Sequence, residues 1–488
     1  MYFNSPVFLY VFLPAVLLTY HGVPAILNLR GSTRSFFTNA FLFGASLFFY
    51  AWGELAYVLV LYGSLLVNYG FALAAAWLQS RDRSTRPLAV FAVGANLALL
   101  IWFKYAGFLV ATSTASLGAF GISCVPVPEV HLPLGISFFT FQAISYILDV
   151  CRKEVPTERS FLKFGVYVFL FPHLIAGPIV RYRDIAAQLT VRPVGLERFA
   201  EGVRRLGIGL AKKLLLADTF AEAADAAFGT QARFIAPGEL SMAAAWLGIL
   251  CYSLQIYFDF SGYSDMAIGL GKMFGFDFLE NFRYPYIAES ITEFWRRWHI
   301  SLSSWFRDYV YVPLGGNRAG ALATYRNLLI VFALCGIWHG ANWTFLLWGL
   351  YHGLFLVLER LGFGAILARL PRPLRHGYAW VAIGCGWVLF RATTLDQAGG
   401  IFRALGRIDG ATLFVADVWN PKLALALPAG LLACLPIVPA AKRWLADRAA
   451  WMRDFGGLLG AFGIAACYLG ASLQLAGKSY SPFIYFRF

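Results

Sequence analysis

Uninterrupted apolar stretches of about 20 residues, the length that carries a helix across a bilayer, recur along the whole of this 488-residue chain. No other feature narrows the possible folds as far. Inside the hydrocarbon layer every backbone N–H and C=O must be satisfied within the protein. Stretches of this kind therefore predict an all-α, polytopic integral membrane protein. Composition agrees: charged residues make up 14% of the chain and hydrophobic ones 59%, whereas soluble domains carry about 25% charged residues. The lipid bilayer is thus the first expected partner.

Twelve spans are expected, near residues 6–28, 36–52, 54–79, 88–112, 132–150, 203–219, 240–258, 327–341, 343–359, 377–394, 423–440 and 455–476. The stretch 1–29 has no basic n-region and no Ala-x-Ala-like cleavage site, so it reads as a first span and not as a signal peptide. The connecting segments alternate in charge. Only Arg233, Arg391, Arg403, Arg407, Lys422, Lys478 and Arg487, seven of the 40 Lys and Arg, fall in the segments on one side, and Lys104 falls inside a span. The positive-inside rule then places the basic side in the cytoplasm and both termini outside it, in a bacterial inner membrane. The same rule accounts for the net charge of +14, and no nucleic-acid partner is expected. Seven scattered cysteines in no zinc-like spacing predict neither disulfides nor a metal site.

Two apolar stretches do not read as full crossings. Residues 161–180 contain Pro172, Gly177 and Pro178, and residues 261–280 contain Gly262, Gly269, Gly271 and Gly275. Both are expected to be re-entrant. Residues 290–310 read as an amphipathic interfacial helix, with Ser290 and Glu293 at capping-box spacing. A single domain, 1–488, is expected, with N-terminal helices over 1–150, a core over 151–360, and C-terminal helices with an aromatic tail over 361–488.

Polar groups at membrane depth are costly, which makes them candidates for function. His339, in Trp338-His-Gly-Ala-Asn342, ends an apolar span. A neutral imidazole there can act as general base, with Asn342 orienting a nearby group. It can equally be a helix-packing histidine, and spacing leaves the two readings level. Gly336 and Gly340 leave room for a substrate or another helix. His299 follows Trp298, among Arg296 and Arg297, as a donor-orienting or an interfacial residue. His173 and His352 read as structural. Asp259 and Asp265 need partners at membrane depth, with Lys272, Arg283 or the arginines of the 290–310 helix available. The cytoplasmic arginines, Arg296 and Arg297 included, suit a phosphate-bearing donor or anionic lipid. Tyr485, in the tail Phe483-Ile-Tyr-Phe-Arg-Phe488, is either a nucleophile or part of an interfacial aromatic belt.

These segments resemble the membrane-bound O-acyltransferase family over almost the whole chain. The likeness is carried by Pro133-Leu-Gly-Ile-Ser-Phe-Phe-Thr-Phe-Gln142, Phe171-Pro-His-Leu-Ile-Ala-Gly-Pro178 and Tyr257-Phe-Asp-Phe-Ser-Gly-Tyr-Ser-Asp265. It continues through Phe294-Trp-Arg-Arg-Trp-His-Ile-Ser-Leu-Ser303, Tyr311-Val-Pro-Leu-Gly-Gly-Asn317 and Trp338-His-Gly-Ala-Asn-Trp343. The resemblance implies a ring of about 12 helices, with re-entrant and interfacial helices, around a central funnel. It assigns catalysis to His339, with His299 as the second characteristic histidine, and a transient acyl-carrying role to Tyr485. Asp259, Asp265, Arg296, Arg297, Trp298, Trp338 and Asn342 become the candidate donor- and substrate-binding set. The implied donor is acetyl-CoA or another acyl thioester, with no bound cofactor. The implied acceptor side is an extracytoplasmic polysaccharide such as alginate, reached through a serine-type acetyltransferase outside the membrane. Two other readings stand beside this one: a small-solute transporter, and a scaffold for a polysaccharide export complex.

Overall fold

A computed structural model describes residues 1–118, 126, 130–229, 239–407, 412–446, 448, 450–477 and 483. Among these residues the chain is helical throughout, apart from turns and one isolated bridge between Leu240 and Leu413. Seven helical stretches are long and apolar enough to cross a membrane, and an eighth arises if the pair Pro421–Ala433 and Ile437–Ala446, bent by 56°, counts as one. Twelve were expected. Three of the expected spans do not meet that measure. Residues 132–150 form the 16-residue helix Ile136–Cys151. Residues 203–219 lie mostly in the charged helix Leu196–Ala211 and the π-turn after it, and residues 377–394 lie mostly in Arg372–Arg391, whose first turns hold Arg372, Arg375 and His376.

The chain divides into two compact units, Met1–Leu206 with Met266–Leu279, and Gly207–Asp265 with Glu280–Phe488. In the first unit, α1 (Leu13–Ile26), α2 (Gly31–Glu54), α3 (Val58–Gln79), α4 (Arg86–Leu100) and α5 (Ile136–Cys151) follow in sequence. Helices in lipid gain no hydrophobic drive from each other and use polar pairs instead. Asn68 on α3 and Asn96 on α4 exchange amide hydrogen bonds of 3.1 and 2.7 Å, both side chains being buried. The stretch 161–180 is broken as expected. Helix α6 (Phe161–Phe169) stops at Leu170, and α7 (Phe171–Leu174) starts afresh with Pro172 in its first turn, where proline's missing N–H costs nothing. His173 belongs to this unit, and its Nδ1 lies 3.0 Å from the Gln142 amide nitrogen.

Residues 261–280 are not re-entrant up to Met273. They complete α8 (Met242–Met273), one unbroken 32-residue helix that is mostly buried. Its glycines serve close packing. A Cβ on Gly262 would lie 2.9 Å from the Gly209 carbonyl oxygen, so helix and neighbour approach with backbone in contact.

In the second unit, α9 (Ala321–His339) and α10 (Trp343–Leu358) form a tight hairpin. A Cβ on Gly336 would lie 2.3 Å from the Phe345 carbonyl oxygen, and one on Gly349 would lie 2.1 Å from that of Phe332. The space at Gly336 thus belongs to a helix, not to a substrate. Gly349→Val is expected to force this hairpin apart and yield aggregated protein on size-exclusion chromatography. Gly70→Ala, which meets nothing within 4 Å, should elute as the natural chain does.

Candidate active site

The stretch 290–310 is two short helices and not the single amphipathic helix its periodicity suggests. The first, Ile291–Arg297, begins where three donors find acceptors. Ser290 Oγ accepts from the Glu293 N–H (3.0 Å), and the Glu359 carboxylate accepts from the N–H groups of Ile291 (2.7 Å) and Thr292 (2.9 Å). Glu293 does not close a capping box. Its carboxylate accepts from the Glu289 N–H at 2.9 Å and pairs with Arg297 at 2.7 Å. Partial burial pushes the Glu293 carboxyl up, but these two partners outweigh it and hold it below the ordinary glutamate value.

The helix ends because Trp298 is extended and His299 sits in the left-handed region at φ 44°, ψ 55°. That conformation costs a non-glycine residue on the order of 1–3 kcal/mol and persists only where its surroundings enforce it. Here the enforcer is Asn281, itself fully buried. Its backbone oxygen accepts from the Ile300 N–H (3.0 Å), and its Oδ1 accepts from the Ser301 N–H (3.1 Å) and hydroxyl (3.0 Å). The same Oδ1 lies 3.1 Å from His299 Nδ1. Because Oδ1 can only accept, Nδ1 carries the proton, and Nε2 is the acceptor nitrogen of the neutral ring. The amide nitrogen of Asn281 donates in turn to Ser264 Oγ (3.2 Å).

His339 is the last residue of α9, and its ring lies 6.5 Å from that of His299, centre to centre. Both side chains are buried. Trp338 (4.9 Å), Trp348 (5.0 Å) and Phe390 (5.2 Å) stand edge-on around His339. Trp298 packs on Trp387 (5.1 Å), which stacks on Trp348 (6.1 Å). Two imidazoles at this separation can each reach one small group placed between them, and walls of this kind exclude water. Further along, Trp295 meets both Trp348 (5.7 Å) and His352 (5.3 Å). The indole N–H groups of Trp295 and Trp348 and both ring nitrogens of His352 are buried without a hydrogen-bond partner among the described residues. Buried polar atoms of that kind call for a partner.

A cavity of about 460 Å³ opens beside the first turn of the helix Ile291–Arg297, lined by Glu289, Ser290, Arg296, Arg360 and Arg375 among others. Its lining includes neither histidine. Trp295 and Trp348 stand between that helix and His339.

The other sequence candidates fall in different places. Arg296 is exposed at the cavity, while Arg297 is committed to Glu293 and to the Arg283 carbonyl. Asn342 does not orient a group at His339. Its Oδ1 accepts from the Thr344 N–H (3.1 Å) and caps α10, and its amide donates to the Thr393 carbonyl (2.8 Å). Asp259 and Asp265 do not pair with Lys272, Arg283 or the 290–310 arginines. Lys213 bonds Asp259 (2.7 Å) and Asp218 (2.8 Å), and Lys212 bonds Asp265 (2.7 Å). Lys272 pairs with Glu201 at 2.7 Å. Tyr485 lies outside the described residues. Among the described residues no group of three or more His, Cys, Asp or Glu converges as a metal ion would require.

Sequence reading missed Asn281, Trp348, Trp387 and Phe390, which carry no periodic signal. It also missed Lys212 and Lys213, although two lysines inside the expected span 203–219 could have been matched to Asp259 and Asp265, just past the end of the expected span 240–258.

The chain has relatives among known proteins. Residues 152–385 match the model of the MBOAT, membrane-bound O-acyltransferase, family. The chain is 39% identical to a probable alginate O-acetylase of Azotobacter vinelandii, over all of both chains. It is 40% identical to a protein of the same name from Pseudomonas putida, again over all of both. A peptidoglycan O-acetyltransferase of Helicobacter pylori is 36% identical, over 84% of this chain and 81% of its own.

Proposed function

This chain belongs to the membrane-bound O-acyltransferase family and is an acyltransferase, and from that premise we propose that it moves an acetyl group from cytoplasmic acetyl-CoA across the bacterial inner membrane for O-acetylation of an exported polysaccharide such as alginate. The observation that carries the reading is the buried pair His299 and His339, 6.5 Å apart, with His299 pinned by Asn281.

His339 acts as general base. It takes the proton from an attacking hydroxyl as the oxygen bonds to the thioester carbonyl carbon. The carbon–sulfur bond then breaks, and the thiol leaves with the proton His339 had accepted. His299, through Nε2, orients the donor, and Trp298 and Trp338 wall the reaction from water. In the cavity that Glu289, Glu293 and Glu359 also line, Arg296 and Arg360 receive the charged end of the donor. The unpartnered nitrogens of Trp295, Trp348 and His352 support passage of the polar arm between them. The architecture that suits this route is a ring of about 12 helices around a funnel, with both termini outside. The attacking hydroxyl is that of Tyr485, which hands the acetyl group to a serine-type acetyltransferase outside the membrane.

The test is purified protein in liposomes, supplied with acetyl-labelled acetyl-CoA and the exported partner. Label on the acceptor is expected. Movement of a small solute with no consumption of the thioester would replace the reading with a transporter. Tyr485→Phe removes the attacking oxygen and little else, and is expected to abolish transfer through the tail. Unchanged transfer in that variant reduces the tail to an anchor.

A further inference from the structure

One buried ionic cluster has no part in the route above. Lys213 is 2% exposed and bridges Asp218 and Asp259 at 2.8 and 2.7 Å. Lys212 and Asp265 pair beside it on the same two segments, the π-turn Lys212–Ala217 and α8. Gly262 lets these segments approach with backbone in contact. Charges at this depth are costly to keep, and pairing them seldom stabilises a fold more than apolar packing would. Such a cluster therefore points to a task beyond cohesion.

Its contact with the end of the chain supplies one. Phe483, 1% exposed, lies with its ring face 4.9 Å from Lys213 Nζ and stands edge-on to Tyr263 at 4.8 Å. A desolvated ammonium over a ring face is attracted by the ring quadrupole more strongly than the same pair in water. The two aspartates hold and aim the ammonium, and Tyr263 sets the tilt of the ring.

We propose that Lys213, Asp218, Asp259 and Tyr263 form an intramolecular receptor for the C-terminal segment, with Phe483 as the residue it grips. Lys213 and the aspartates are then positioning residues, and their purpose is to hold Phe483, two residues before Tyr485, in place. That purpose rests on the proposed role of the tail; the grip itself does not.

Hydrogen–deuterium exchange of the tail peptide, read by mass spectrometry on the full chain in nanodiscs, tests the grip without any acyl transfer. Phe483→Leu keeps apolar bulk but offers no ring face, and tail exchange is expected to speed up roughly ten-fold, as loss of a desolvated cation–π contact implies. Phe483→Trp should restore slow exchange. Lys213→Met should release the tail as Phe483→Leu does; where it fails to fold, the Phe483 series still decides. A Phe483→Leu tail that exchanges as slowly as the natural one overturns the proposal. Because the readout is exchange, a failed grip and a failed acyltransferase reading remain distinguishable.

Discussion

His339→Ala is expected to lower acetyl transfer by roughly 100- to 10,000-fold, the range that general acid–base catalysis contributes, with the protein still reaching the membrane at its normal level. The separation of the two effects follows from where His339 sits. It is the last residue of its helix, so its loss removes no interior turn. Its neighbours Trp348 and Phe390 also contact each other at 5.0 Å, which keeps the pocket walls standing. His339→Gln, which keeps polarity but cannot act as a base near neutral pH, should be as inactive as the alanine variant. Acetylation of exported polymer is the measurement, alongside quantified membrane protein. Normal acetylation in either variant sinks the catalytic role.

The second large effect concerns stability. Lys213→Met leaves Asp218 and Asp259 buried without their shared cation, and breaking a buried ion cluster by removing one partner costs about 3–5 kcal/mol. A lowered Tm in detergent is expected, since Met fills nearly the volume of Lys and only the charge is lost. Adding Asp218→Asn and Asp259→Asn should recover most of the loss, because neutral amides no longer need the ammonium. A triple variant as unstable as Lys213→Met would place the effect in packing.

The candidate site was legible in unequal parts. His339 and His299 could be found because histidines at membrane depth are rare and stand in ordered motifs, although spacing alone left His339 undecided. The glycines of 261–280 misled, since a glycine that breaks a helix and one that lets two helices touch look alike in sequence. The 290–310 stretch misled for the opposite reason: its apolar period runs straight through a break made by Asn281, 18 residues before His299. Asn342 looked poised for chemistry because polar residues near a catalytic candidate attract that reading, yet its side chain is spent on backbone groups on both sides.

By itself the sequence determined that the chain lies in a membrane, that it is helical, and which few polar residues must answer for their burial. It could do so because hydrocarbon is an unforgiving solvent, and compatibility with it is written in local composition. Only the tertiary structure decided the partners. It gave Asp259 and Asp265 to Lys213 and Lys212, turned His299 toward His339, and set Phe483 over a buried ammonium. Those outcomes depend on side-chain reach between segments far apart in the chain, down to fractions of an ångström, and no local pattern encodes that distance.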